Sequence, residues 1–269
     1  MNNKKIIKQN NSKRKCSLSV IIIVKDEADR IEACLKSVYG WADEIVVVDS
    51  GSSDDTVKIV KKFTEKIFIT EDWPGFGPQK QRALTKATCD WVLSLDADEV
   101  VPPELREEID NSLLDDQPLS GFKIPWAVYV FGKRLDHGRS GRANLRLFKR
   151  RGAGFSDCRV HGSVIPADNS VGILQSRLLH FTYRDFSHAT TKFSQYAWQW
   201  ARQRYHDGKR AGLFKAFWHA GWMFFSIYFL RFGFLDGKRG LLMAILFWQY
   251  TFNKYAALWT LEVTATANE

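Results

Sequence analysis

Between Leu18 and Leu95 the chain alternates short β-branched apolar runs with helix-forming stretches, and acidic residues follow the runs. This repetition constrains the fold more than any other feature. Leu18–Val24 (LSVIIIV) reads as a strand buried on both faces, because it lacks the apolar–polar alternation of a half-exposed strand. Asp29-Arg30-Ile31-Glu32 has the form of a capping box, opening a helix with Ile31, Leu35 and Val38 on one face. Glu44–Asp49 is the second strand. Ser53 or Asp54 then caps a helix that faces inward through Val57, Val60 and Phe63. Residues 66–70 form a third strand, 78–86 a short helix and 90–95 a fourth strand. Repeated βα units predict an α/β fold with a mostly parallel central sheet and right-handed crossovers. Ligands of such sheets bind beyond the carboxyl ends of the strands. Lys25-Asp26-Glu27, Asp49-Ser50-Gly51 and Asp96-Ala97-Asp98 all fall there.

Asp96-Ala97-Asp98 carries the most specific chemistry. Two carboxylates at i and i+2 on a strand tip can face a site where a divalent cation meets a diphosphate. Hard oxygen ligands suit Mg²⁺ or Mn²⁺, which bind through one or two carboxylates plus a substrate's phosphates. Alone, the same pattern also describes a solvated turn. No G-x-x-x-x-G-K-[ST] or G-x-G-x-x-G occurs, so neither a P-loop nor a dinucleotide site is expected. His180, His188, His206 and His219 show no ligand spacing.

The net charge of +9 implies an anionic partner: nucleotide phosphates, nucleic acid or an acidic membrane face. The excess is uneven, with six Lys and Arg and no acid in residues 1–15, and a basic stretch from Arg139 to Arg239. The first half, by contrast, is rich in carboxylates. Four scattered cysteines with no C-x-x-C suggest neither a zinc site nor a disulfide framework, and fit a reducing cytoplasm. The apolar run after the basic start is short and ends at Lys25-Asp26-Glu27, so it reads as a first strand behind a disordered tail.

Pro102-Pro103 starts another helix. Residues 121–180 are strand-like with many turns, including 121–129, 143–148 and 160–165. Beyond Ser187 the pattern is helical and aromatic. Leu213–Leu230 is apolar around its circumference apart from Lys215 and His219, and 241–261 is similar. Aromatics with flanking Lys and Arg predict helices lying in a membrane interface. A helical subdomain buried against the catalytic domain is the alternative. True spans are disfavoured by Lys215, Lys254 and the short loop. A single-stranded nucleic-acid binder is also disfavoured, because the aromatics cluster with aliphatics instead of alternating with basic residues.

Ser19–Lys25 with Asp26-Glu27, then Glu44–Thr56 (EIVVVDSGSSDDT), then Trp91–Asp98, resembles the nucleotide-sugar half of family 2 glycosyltransferases. Residues 73–80 (WPGFGPQK), 145–149 (LRLFK), Phe155-Ser156-Asp157 with Val160-His161, and 233–240 (GFLDGKRG) are similar to lipopolysaccharide-core β-glucosyltransferases. The resemblance implies a GT-A nucleotide-sugar-binding domain over 17–185, after a basic tail at 1–16 and before membrane-associating helices at 186–269. It implies inverting, metal-dependent transfer of a hexose, expected to be glucose from UDP-glucose, to a lipid-linked saccharide such as a lipopolysaccharide inner core. The enzyme would sit peripherally on the cytoplasmic face of the inner membrane, with no nucleic-acid partner.

Residue by residue, Glu27 and Asp49 match nucleoside contacts, with Lys25 beside them. Lys80 stands where the family has an arginine near the nucleotide. Asp98 is the expected metal ligand, with Asp96 assisting or contacting the nucleotide. Arg142 and Arg146 are candidates for gripping diphosphate or an acidic acceptor. Related sequences carry Val-His-Glu where this chain has Val160-His161-Gly162, so the general base is open between Asp157 and His161. Transfer to a polyprenyl phosphate, whose anionic acceptor needs little base catalysis, is the alternative activity. A non-catalytic scaffold of the same fold is a further one.

Overall fold

The computed structural model describes residues 14–114, 118–157 and 162–266. In chain order the elements are β1 (Leu18–Val24), α1 (Ile31–Lys36), β2 (Glu44–Asp49), α2 (Thr56–Val60), β3 (Ile67–Ile69), α3 (Phe76–Lys86), β4 (Trp91–Asp96), β5 (Glu99–Val100) and α4 (Pro103–Ser112). Then come β6 (Gly121–Val130), β7 (Lys133–Leu135), β8 (Ala143–Lys149), β9 (Gly154–Phe155), β10 (Val164–Ile165), β11 (Val171–Ile173) and β12 (Leu178–Tyr183). Helices α5 (Phe186–His206), α6 (Leu213–Phe225) and α7 (Gly237–Thr266) complete the chain. Packing divides it into two units: the described residues up to Trp126 with Ala143–His180, and Ala127–Arg142 with those from Phe181 onward.

In the first unit the strands run β3-β2-β1-β4-β8-β6. β1, β2, β3 and β4 pair in parallel, whereas β8 pairs antiparallel with both β4 and β6. Every residue of β1 and β2 is buried. The period-2 geometry of a strand sends alternate side chains to opposite faces. Leu18, Val20, Ile22 and Val24 accordingly join Ile31 and Leu35 of α1 and Leu105 and Ile109 of α4. Ile21 and Ile23 instead join Ala83 and Leu84 of α3, with Phe148 and Phe155. Helices on both faces explain why these runs are continuously apolar.

Local details differ from the sequence pattern at three places. Helix α1 starts at Ile31, later than a cap at Asp29 implies, and Arg30 at the cap position makes no side-chain cap bond. The amides of Arg30 and Ile31 instead donate to the Glu27 carbonyl. Asp54 reaches the first amide of α2 at Thr56 from two residues away, and Asp55 holds the cap position without a side-chain bond. Helix α3 begins at Phe76, two residues ahead of Pro78, which the first turn tolerates because its missing N–H has no helical acceptor there. Of the strand expected at 160–165, Val164 and Ile165 are seen; Val160 and His161 lie outside the described residues.

In the second unit α7 packs on both α5 and α6. Its core joins Val130 and Leu135 of the β6–β7 hairpin to Phe193, Met243 and Leu246. Asp185 caps α5 by accepting from His188 N at 2.7 Å. No helix among the described residues is long and apolar enough to cross a membrane.

Leu93, wholly buried on the strand that carries Asp96, tests the core. Leu93→Ala is expected to destabilise the protein by about 2–5 kcal/mol, the range for cavity-forming truncations. A urea-unfolding midpoint unchanged from wild type would show that β4 is not part of the cooperative core.

Candidate active site

Parallel pairing brings three loops to one sheet edge. Val24 is in register with Asp49 on one side of β1, and Ile23 with Asp96 on the other. The first two loops are laced together: Asp26 N donates to Ser52 Oγ at 2.9 Å, Ser53 N to Asp26 Oδ1 at 2.7 Å and Glu27 N to Thr56 Oγ1 at 2.8 Å. Asp26 takes the left-handed backbone (φ 54°) that this lacing requires, a conformation that Asp tolerates better than most residues. Gln79 of α3 ties the third side by donating to Ser50 Oγ and Thr70 Oγ1, both at 2.8 Å.

At the tip of β4, Asp96 sits between two cations. Lys80 Nζ donates to Oδ1 at 2.7 Å and Arg146 Nη2 to Oδ2 at 2.7 Å. The same Arg146 nitrogen donates to Glu99 Oε1 at 2.6 Å, where Trp126 Nε1 also donates at 2.8 Å. Glu99 Oε2 accepts from Asp96 N at 2.8 Å, closing the Asp-Ala-Asp turn. Glu99 is completely buried, and Arg146 lies over the Trp126 ring, 5.5 Å from its centroid. Charge-assisted bonds of this length are the strong kind. Burial opposes ionisation of Asp96, but Arg146 and Lys80 outweigh it and hold the carboxyl well below its usual range. For Glu99, burial prevails and raises the pKa despite Arg146.

Asp98 faces a different set. His180 Nε2 lies 3.4 Å and Arg30 Nη1 3.5 Å from its Oδ2, and Arg30 Nε lies 3.3 Å from Glu27 Oε2. Arg30 thus bridges the tips of β1 and β4. Burial opposes protonation of His180, but the carboxylates of Asp98, Glu99 and Asp96 outweigh it, raising its pKa. Carboxylate oxygens suit Mn²⁺ or Mg²⁺, whereas the carboxylates around His180 favour its protonated form, which donates to Asp98 instead of ligating a metal. Among the described residues no three His, Cys, Asp or Glu gather as a metal cage. A cation that completes its shell with substrate phosphates and water needs no such cage. The residues present therefore fit a divalent ion held through the carboxylate of Asp98. Asp96, expected to assist Asp98 or contact the nucleotide, has each oxygen engaged by a cation.

The other expected residues fall as follows. Asp49 is buried, and its Oδ2 closes the following turn by accepting from Gly51 N and Ser52 N at 2.9 Å each. Lys25 is exposed beside Asp26. Lys80, expected near phosphate, is buried against Asp96. Asp157 is exposed just beyond β9, and His161 lies outside the described residues. Arg146 joins the Asp96 cluster; Arg142 is exposed and belongs to the second unit. A Cβ at Gly162 would come within 2.6 Å of Gly77 Cα, so no side chain fits there on this backbone.

Four residues at the site escaped the sequence reading: Arg30, Glu99, Trp126 and His180. Glu99 had a signal, directly following the Asp-Ala-Asp it closes. His180 had none, because its partner is 82 positions away and reaches it through the pairing of β12 with β5, where His180 is in register with Glu99.

Arg146→Met is expected to cost about 3 kcal/mol in chemical denaturation. That is the low end for stranding a buried charge, because Asp96 is one-third exposed. A loss under about 1 kcal/mol, typical of a surface pair, would contradict the buried cluster. The depressed Asp96 pKa stabilises the fold above the ordinary carboxyl value near ~3.9, and that contribution is lost as pH falls further. The stability gap between wild type and Asp96→Asn is therefore expected to narrow from about pH 5 to pH 2. A gap constant across that range would contradict the pairing.

Comparison with known proteins gives the chemistry a family. Residues 19–159 match the profile described as glycosyl transferase family 2. The lipopolysaccharide core biosynthesis glycosyltransferase LpsC of Rhizobium meliloti is 32% identical over 231 residues, 83% of each chain. An uncharacterized glycosyltransferase of Rickettsia conorii is 28% identical over 246 residues, covering 86% of this chain and 85% of that one. Among solved structures, S. aureus TarS 1–349 in complex with UDP-GlcNAc is similar at TM-score 0.48 and 17% identity, over 90% of this chain and 84% of that one. With its profile match spanning the strand tips that carry Glu27, Asp49 and Asp98, this chain belongs to glycosyl transferase family 2.

Proposed function

We propose that this chain is an inverting hexosyltransferase that moves glucose from UDP-glucose to a lipid-linked saccharide of the lipopolysaccharide inner-core type. It would work peripherally at the cytoplasmic face of the inner membrane with Mg²⁺ or Mn²⁺ bound. The observation that carries the activity is the meeting of Asp98 with His180, joined through Arg30 to Glu27, at the carboxyl edge of a parallel sheet. The similarity to LpsC, a protein named for lipopolysaccharide core biosynthesis, supports the acceptor class.

In this reading Glu27 and Asp49 receive the nucleoside, whose hydroxyl and N–H donors match carboxylate acceptors. Asp98 would hold the ion through its carboxylate, with His180 fixing that carboxylate's direction, and the ion when bound would supply Lewis-acid stabilisation for charge growing on the departing diphosphate. Lys80, Arg146 and Glu99 keep the turn that carries Asp98 in one conformation, so that no reorganisation is needed as charge develops. A single in-line displacement inverts the anomeric centre and requires removal of the acceptor hydroxyl proton. A positioned base is worth ~10²–10⁴-fold, and Asp157 or His161 takes that role here.

Gly162 favours a second reading. The backbone there abuts Gly77, which leaves no room for the acid that related sequences carry. An acceptor that is already anionic, such as a polyprenyl phosphate, needs no base.

Donor turnover with and without EDTA tests the first reading. Asp98→Asn and EDTA are each expected to lower transfer at least ~10²-fold, since a bound divalent ion contributes several kcal/mol. Activity indifferent to both excludes a metal at Asp98. Transfer to undecaprenyl phosphate with no saccharide acceptor present would select the second reading.

A further inference from the structure

We infer that the outer face of α6, continued through the turn that leads into α7, is a docking surface for an anionic lipid bilayer. This deepens the membrane-surface reading above and rests on it.

The helix is inside out. Ala216 and Ala220 are completely buried, whereas Phe214 is 84% exposed, Trp218 67% and Trp222 56%. Phe225 and Phe229 prolong the same stripe, while Phe217 packs its ring on Phe252 of α7 at 4.8 Å. A helix evolved only to pack in water buries its large apolar side chains and leaves small ones wherever they fall. Ala244 of α7 is also fully buried, while Phe214, Trp218 and Trp222 stay exposed.

Beyond Phe225 the chain forms a π-helical turn at Ser226–Leu230 and a 3-10 turn at Gly233–Asp236. Between them Phe232 holds the left-handed conformation (φ 55°) with its ring 55% exposed. That conformation is unfavourable for a bulky residue and is kept where surrounding structure imposes it. The turn is tightly built: a Cβ at Gly240 would lie 1.9 Å from the Gly233 carbonyl oxygen, and one at Gly233 2.6 Å from that of Ile227. Phe234 and Leu235 are exposed on it. The 233–240 motif thus has a structural use, presenting apolar side chains on a fixed turn.

Charge selects the occupant. Between residues 208 and 261 Asp236 is the sole acid. Its carboxylate is turned to the backbone, accepting from Asp136 N at 3.1 Å and His137 N at 3.0 Å. Lys209, Arg210, Lys215, Arg231, Lys238 and Arg239 are all exposed around the aromatic face. A second copy would set like charge against like charge, which disfavours a symmetric dimer. Anionic headgroups match the basic rim, and aromatic rings suit the boundary between headgroup and acyl chain.

The test is flotation of the full chain with vesicles of phosphatidylcholine alone or mixed with phosphatidylglycerol, at low and high salt. Wild type is expected to float with the anionic vesicles and to release as salt rises. Phe214→Ser/Trp218→Ser/Trp222→Ser is expected to weaken partitioning at least ~10-fold with an unchanged melting temperature, since these side chains are exposed. Lys238→Glu/Arg239→Glu is expected to weaken it on anionic vesicles alone. Equal binding by the aromatic variant, or equal wild-type binding to neutral vesicles, overturns the inference. So does a wild-type dimer, seen in sedimentation velocity, that the aromatic variant dissolves. Nucleotide-sugar binding by the same preparations separates the two readings. Donor binding without flotation sinks the docking face alone; flotation without donor binding sinks the catalytic assignment alone.

Discussion

The site depends on a buried charge cluster. One Arg146 nitrogen serves both Asp96 and Glu99, and Lys80 takes the remaining Asp96 oxygen. A buried pair offsets its desolvation only with good geometry and no remaining unpaired charge. Here the geometry is supplied by rigid elements: Asp96 on β4, Arg146 on β8 and Lys80 on α3. The antiparallel register of β4 with β8 and the packing of α3 beneath them put the three together. Glu99 then returns the cluster to the backbone by accepting from Asp96 N. Asp98 hangs from that closed turn, so its direction is set by residues that have no need to touch a substrate.

This division of labour changes how the Asp-Ala-Asp pattern is understood. The spacing suggests two equivalent ligands, but the surroundings make the carboxylates unequal. Asp96 is matched by two cations at hydrogen-bond distance. Asp98 meets a histidine and an arginine at longer range.

Much of the architecture was legible because it rests on local pattern. Continuous β-branched runs mean strands covered on both faces, and acids after those runs mean one chemically distinct edge. β1, β2 and β4 follow those patterns closely. What was not legible depends on distant pairing. Nothing near His180 says that it opposes Glu99 across β5 and β12, and nothing near Arg146 says that it meets Asp96. The start of α1 has the same origin: its first amides find the Glu27 carbonyl, while Glu27 itself is fixed by Thr56 from another loop. Composition marked 213–230 as unusual, but an all-round apolar stretch has no readable face. Only packing decides that alanine goes inward and tryptophan outward.

That inversion also bears on stability. Ala216, Ala220 and Ala244 together bury far less apolar area than the aromatics on the opposite side would, so α6 gains less from folding than its composition suggests. Small residues do allow close helix approach, and α6 packs extensively on α7, with Phe217 on Phe252 and His219 stacked on Tyr255. The second unit gains further from the aromatic core around Phe193, where Phe247 and Tyr250 each pack 5.2 Å from its ring. A chain selected for stability in water alone would gain from exchanging the two faces of α6. Large rings outside and methyl groups inside are the arrangement that the proposed bilayer-docking face requires.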